Sequence, residues 1–306
     1  MDRPMILRSE RHPLAGPSPF HTKRESQSGE DTRKEILASP LARPYQSARD
    51  DLQSAFRDGL AWLLPSRVPR ALREKDRSRW FGHTPMSQEQ WTAVDAYFGQ
   101  ALLPPDPALE AARLANSQAG LPAIDVSPSQ GKLLYLIALM QGARRVLEMG
   151  TLGGYSTIWM AKALPSEGVL VTLEADPKHA GVAQQNIERA GFGPIVRILV
   201  GEALQSLPKV KADYRQPFDL IFIDADKANA PEYFRWALEL SRRGTVVIVD
   251  NVVRKGEILN SETTDPNTQG MRRLTEMLAR EPRVAATAIQ TVGTKGYDGL
   301  IIARVL

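Results

Sequence analysis

From Met86 onward, short apolar runs alternate with segments whose apolar positions recur every three or four residues. A strand covered on both faces reads as a continuous apolar run, whereas a surface helix shows the longer period. On this basis 145–148, 169–174, 195–200, 220–224 and 246–250 are predicted strands. Between and after them, 156–163, 177–190, 231–240 and 268–280 are predicted helices. Residues 285–290 and 299–305, joined by a turn-rich link, predict an antiparallel hairpin at one edge. Three helix starts precede this alternation. Ser87 is a good N-cap, with Gln90 placed to complete a capping box, and the helix runs to about Ala101 before Pro104-Pro105 breaks it. Asp106-Pro107 and Ser127-Pro128 each pair a capping side chain with proline at the first helical position. Strands spaced by helices mean an α/β fold, a Rossmann-like doubly wound sheet of seven strands, mostly parallel.

Residues 1–50 are rich in Pro, Ser, Arg and Glu without a sustained period, a disorder-like composition. Leu52, Phe56, Leu60, Leu63 and Leu64 predict a short amphipathic helix over 51–64, ended by Pro65. The expected division is therefore an extension over 1–85 and a catalytic domain over 86–306. Charge follows the same division. The extension holds 16 of the 39 basic and 11 of the 35 acidic residues, which leaves 86–306 one charge negative. A nucleic-acid-binding domain would show a basic face, so nucleic acid is an unfavoured partner. The absence of cysteine excludes disulfides, thiolate metal sites and cysteine nucleophiles. No apolar run reaches the length of a membrane span, and the N-terminus lacks the apolar core of a secretory signal. A cytoplasmic location and no membrane partner are expected.

Chemistry-bearing residues cluster where the predicted strands end, which is where open α/β sheets bind ligands. Phe218–Asp224 and Val246–Asp250 both run from apolar residues into carboxylates. Side by side, they would bring Asp224, Asp250 and Asn251 together as three oxygen donors for a hard cation, Mg²⁺ or another such as Mn²⁺ or Ca²⁺. Asp226 is an alternative ligand by proximity, whereas Asp219 opens its strand at the other end. Lys227, three residues after Asp224, is a candidate base or oxyanion partner. Upstream, Glu148, Gly150, Gly153 and Gly154 form a Glu-x-Gly-x-x-Gly-Gly turn, not the dinucleotide fingerprint. An acid at Glu148 would repel a pyrophosphate and suit the cationic methionine end of S-adenosylmethionine (SAM). Glu174 ends the second strand, where an acid receives ribose hydroxyls. Gly201-Glu202-Ala203, at the end of the third strand, would then border the adenine. His179 reads as a surface residue of the following helix.

These residues resemble a known family. Val126-Ser127-Pro128, Glu148 to Ser156, Glu174, Ile223-Asp224-Ala225-Asp226-Lys227 and Asp250-Asn251 are similar to the class I SAM-dependent O-methyltransferases of the caffeoyl-CoA and catechol O-methyltransferase group. The resemblance covers about 86–306. It implies a seven-stranded sheet with the last strand antiparallel, a divalent metal on Asp224, Asp250 and Asn251, and Lys227 as the catalytic lysine. It also implies that Glu148, Gly150, Thr151 and Ser156 bind the methionine portion of SAM, Glu174 the ribose and Ala203 the adenine. Val126 and Asp226 would border the cofactor. The acceptor would be a catechol-like small molecule and the assembly a homodimer. The chain departs from many relatives at Glu202, where they have Asp, and from the plant members at Ala230, where they carry Tyr. Two other readings stand beside this one: a methyltransferase acting on a hydroxylated tRNA base, and a non-catalytic nucleotide-binding module.

Overall fold

A computed structural model describes residues 87–306. The expectations for the extension over 1–85, the helix over 51–64 and the domain start at Met86 lie outside the described residues.

The helices and strands alternate as the pattern predicts. The chain runs α1 (Gln88–Leu102), α2 (Pro107–Gln118), α3 (Pro128–Met140), β1 (Arg145–Met149), α4 (Tyr155–Ala161), β2 (Val169–Glu174), α5 (Pro177–Arg189) and β3 (Val196–Val200). It continues with α6 (Ala203–Asp213), β4 (Phe218–Ile223), α7 (Ala230–Glu239), β5 (Ser241–Asp250), a 3-10 turn (Arg254–Leu259), α8 (Pro266–Arg280), β6 (Val284–Gly293) and β7 (Gly296–Val305). Side-chain caps start the early helices: Ser87 accepts from Gln90 N, Asp106 from Ala108 N and Leu109 N, and Ser127 from Gln130 N. These contacts satisfy amide groups that the first helical turn leaves without partners.

The seven strands form one sheet in the order β3-β2-β1-β4-β5-β7-β6. Strands β1 to β5 pair in parallel, and β7 runs antiparallel to both β5 and β6. Strand order reverses between β1 and β4, so a crevice opens over their carboxyl ends. Alternate strand residues feed two cores. Leu147, Met149, Ile221, Ile223, Val247 and Val249 face α6, α7 and α8. Val146, Leu170, Leu220, Phe222 and Ile248 face α2 to α5. Each of these side chains is almost fully buried, worth about 1.5–3 kcal/mol apiece. No helix among the described residues is long and apolar enough to cross a membrane.

Helix α6 has no counterpart among the sequence expectations. Pro208 lies inside it and breaks the usual helix signal. Ala203, Leu207 and Val210 nevertheless bury one face, and that packing outweighs the lost amide.

Candidate active site

Strand register sets the site. Met149 pairs with Ile223, and Ile223 with Val249, so the next residues, Gly150, Asp224 and Asp250, reach the sheet edge at one level. Asp224 N donates to Met149 O at 2.8 Å. Gly150 has φ +100°, and a Cβ there would lie 2.6 Å from Asp224 O, so only glycine allows the two strand ends to approach this closely. A cavity of about 670 Å³ lies over these ends. Val126, Gly150, Thr151, Ser156, Glu174, Ala203, Asp224, Asp226, Lys227 and Asn251 line it, whereas Glu148 and Asp250 stand behind its wall.

One half of the cavity is organised around two acids. Glu174 Oε2 accepts from Thr151 N (3.1 Å) and Leu152 N (2.7 Å), and Oε1 from Asp176 N (2.9 Å). The carboxylate thereby pins the glycine turn, in which Leu152 takes a left-handed φ of +49°. Glu148 is fully buried and accepts hydroxyl donors from Ser156, Thr157 and Thr172. Thr172 spends its proton on Glu148, so Thr151 must donate to Thr172 in turn. Burial pushes the Glu148 carboxyl up to about 7, against the pull of its three hydroxyl partners. Ser156 and Thr151 are the members of this network that reach the cavity.

The other half holds the candidate metal donors. Lys227 Nζ donates to Asp224 Oδ1 (2.7 Å) and Ala225 O (2.9 Å). Asp250 is buried, and Asn251 N donates to its Oδ1 at 2.8 Å. Burial first, and the Asp224 charge second, raise the Asp250 carboxyl above its ordinary value, while Lys227 pulls it down. Asn251 adopts φ +54°, the left-handed region that asparagine tolerates better than most residues. Asp219 lies at the opposite end of β4, where it accepts from Arg144 N and Arg145 N and pairs with Arg242.

Lining residues that their sequence pattern did not mark as site residues include His179, Tyr233 and Asn267. His179, expected at the surface, is half-buried and lines the cavity, with Nδ1 3.5 Å from Glu174 Oε1. Asp176 caps α5, so His179 is its third residue, and its side chain leans back over the helix start. Tyr233 donates its hydroxyl to Asp226. Burial and that carboxylate raise the phenol, which keeps its proton and orients Asp226. Asn267 Oδ1 accepts from Lys227 N (3.0 Å) and Ala228 N (3.2 Å), fixing the lysine's backbone. Arg254 follows Asn251 by three residues and lines the same cavity.

Comparison with known proteins adds a name to this geometry. The family model described as O-methyltransferase matches residues 105–306. A catechol O-methyltransferase of Niastella koreensis is 51% identical over 220 residues, which are 72% of this chain and 100% of that protein. The structure of an O-methyltransferase from Bacillus cereus in complex with SAH is 56% identical, with TM-score 0.71, covering 72% of this chain and 100% of that one. The structure of TomG, an O-methyltransferase from Streptomyces achromogenes in complex with SAM, is 50% identical, with TM-score 0.70 and coverage of 72% and 99%. The chain belongs to the O-methyltransferase family, the SAM-dependent enzymes that its strand-end motifs resemble.

Proposed function

We propose that this protein transfers the methyl group of SAM to a hydroxyl of a catechol-like acceptor, that it requires a divalent metal, and that it works as a homodimer. The observation that carries the reading is the meeting of Asp224, Asp250 and Asn251 at two adjacent strand ends, with Lys227 Nζ 2.7 Å from Asp224.

The donor set suits a hard divalent cation. It consists of two carboxylates and an amide, all oxygen ligands. Burial and the neighbouring Asp224 charge raise the Asp250 carboxyl, and a bound cation would offset that cost. When bound, the metal supplies Lewis acidity and a template for two vicinal oxygens. Lys227 Nζ takes the proton of the reacting hydroxyl or steadies the oxyanion that remains. Asn267 holds the Lys227 backbone in place for this task.

SAM supplies the methyl group. Glu174 retains acceptor capacity on Oε1 for a ribose hydroxyl, because Oε1 takes one amide and Oε2 takes two. Ser156 gives its proton to Glu148 and so turns a lone pair outward, suited to the methionine ammonium. Gly150 and Thr151 frame that end, Ala203 borders the adenine, and Val126 and Asp226 flank the cofactor. Alignment of the hydroxyl with the methyl carbon supplies much of the rate. For assembly, α1 exposes Val94, Tyr97, Phe98 and Leu102 and has no buried residue, a surface suited to a second copy.

The test is a methyl-transfer assay with SAM and a panel of vicinal dihydroxy aromatics, single-hydroxyl phenols and tRNA, with sedimentation to read the assembly. The proposal expects product from the dihydroxy compounds, little from the phenols and none from tRNA. Product from tRNA alone would overturn it.

A further inference from the structure

We infer that Arg254 binds a carboxylate carried by the acceptor, which narrows the substrate class to catechols bearing an acid group. This rests on the catechol reading above.

Charge balance in the cavity is the first argument. Asp125, Glu174, Glu202, Asp224 and Asp226 all line it, and with the metal and SAM assigned to their own donors, a carboxylate on the acceptor still needs a cationic partner of its own. Among the described residues, one lysine and one arginine line the cavity, Lys227 and Arg254. Lys227 is already hydrogen-bonded to Asp224 and Ala225 O. The Arg254 guanidinium makes no hydrogen bond among the described residues, and its Nε is buried without a partner. Its ion-pair contact, Asp265 Oδ2, lies 3.9 Å away. That oxygen is already taken by Thr268 N (2.9 Å) and Thr268 Oγ1 (2.6 Å), which start α8. A guanidinium that lines a cavity and makes no hydrogen bond within the protein is left with donors to offer a ligand.

Backbone geometry is the second argument. Arg254 and Lys255 both hold left-handed φ values, 56° and 55°. Non-glycine residues stay in that region only where their surroundings fix them, commonly at ligand sites. Asp298 Oδ1 does the fixing, accepting from Val253 N (2.9 Å), Arg254 N (3.0 Å) and Gly299 N (2.9 Å). The clamp presents the guanidinium three residues beyond Asn251, on the side of the metal donors. Its planar fork matches a carboxylate with two parallel hydrogen bonds, a match lysine does not offer. An acceptor held this way has one hydroxyl assigned to the methyl group, so Arg254 also sets regiochemistry.

The experiment compares 3,4-dihydroxybenzoate with its methyl ester, equal in the catechol and different in charge. The wild type is expected to favour the acid in kcat/KM by about tenfold or more, the effect of a charge-assisted hydrogen bond. R254Q should lose that preference and give mixed regioisomers, while R254K keeps part of it. Unchanged SAM affinity in R254Q verifies an intact cavity, and the wild-type ratio decides the matter even if that variant fails to fold. Equal use of acid and ester by the wild type, or a preference that survives R254Q, overturns this inference alone. No transfer to either compound overturns the catechol reading with it.

Discussion

Glu148 illustrates what a single residue contributes here. As an acid at a strand end it was legible in the sequence as a cofactor contact. Its partners were not, because Ser156, Thr157 and Thr172 converge only once β1, β2 and α4 are in place. The structure puts this acid behind Ser156 as a buried hub. Its carboxyl moves from an ordinary 4.5 to about 7 on folding, with burial as the main cause. The folded state therefore holds the proton more tightly than the unfolded state. The resulting stability is fully present below about pH 4.5 and is lost as pH rises through about 7, on the order of 3 kcal/mol. Glu148→Gln should flatten that slope, so its stability relative to wild type should improve from acidic to mildly alkaline pH. Urea unfolding across that range reads it, and parallel profiles would rule out a titrating Glu148. Lys227 gives the second prediction at this scale. Lys227→Ala should bind SAM normally and lose rate by about a hundredfold or more. The deficit should shrink as pH rises, since hydroxide can ionise the acceptor without the lysine. A deficit independent of pH would remove Lys227 as the base. His179 was misjudged for one reason: an isolated polar residue in a helix turn carries no period, and only the folded backbone shows what it faces.

Elements were more legible than residues. Apolar runs predict the strands β1 to β5 within a few residues, because β1, β2, β4 and the end of β5 are buried on both faces and few other patterns satisfy that, and the turn-rich link predicts the terminal hairpin. The largest departures are α6, hidden by Pro208, and β5, which starts at Ser241 ahead of its apolar run. Contact between elements is where the site gains rigidity. Gly270 of α8 lies so close to the Lys227 loop that a Cβ there would meet Lys227 O at 2.0 Å and Ala228 Cα at 2.8 Å. Gly270→Ala should push α8 away from that loop and destabilise the protein by about 1–3 kcal/mol. Turnover should fall more than SAM affinity, because the displaced backbone carries Lys227 while Glu174 belongs to the other half of the cavity. Thermal unfolding with parallel calorimetry and rate measurement checks this. Undiminished turnover in Gly270→Ala would show that the lysine does not need α8.

At the scale of the whole molecule, sheet order explains how one cavity offers two distinct halves to the two ligands of the proposed reaction. The reversal between β1 and β4 places the glycine turn and Glu174 on one side and the ends of β4 and β5 on the other. The family match over 105–306 locates methyl transfer in that region. A protein lacking residues 1–85 should therefore fold and turn over at the full-length rate. Loss of activity on that truncation would make the extension part of the enzyme. The sequence could suggest the donor set but not its electrostatics, because the raised carboxyl of Asp250 depends first on burial, which follows from packing. The central claim is that these carboxylates, with Asn251, exist to hold a divalent cation. Its most direct measurement is methyl transfer to a confirmed catechol acceptor during titration with EDTA and then with Mg²⁺, with SAM binding followed in parallel. The account predicts that EDTA abolishes transfer while SAM still binds, that Mg²⁺ restores it, and that Asp250→Ala is inactive throughout. Full activity of the wild type in EDTA would contradict it.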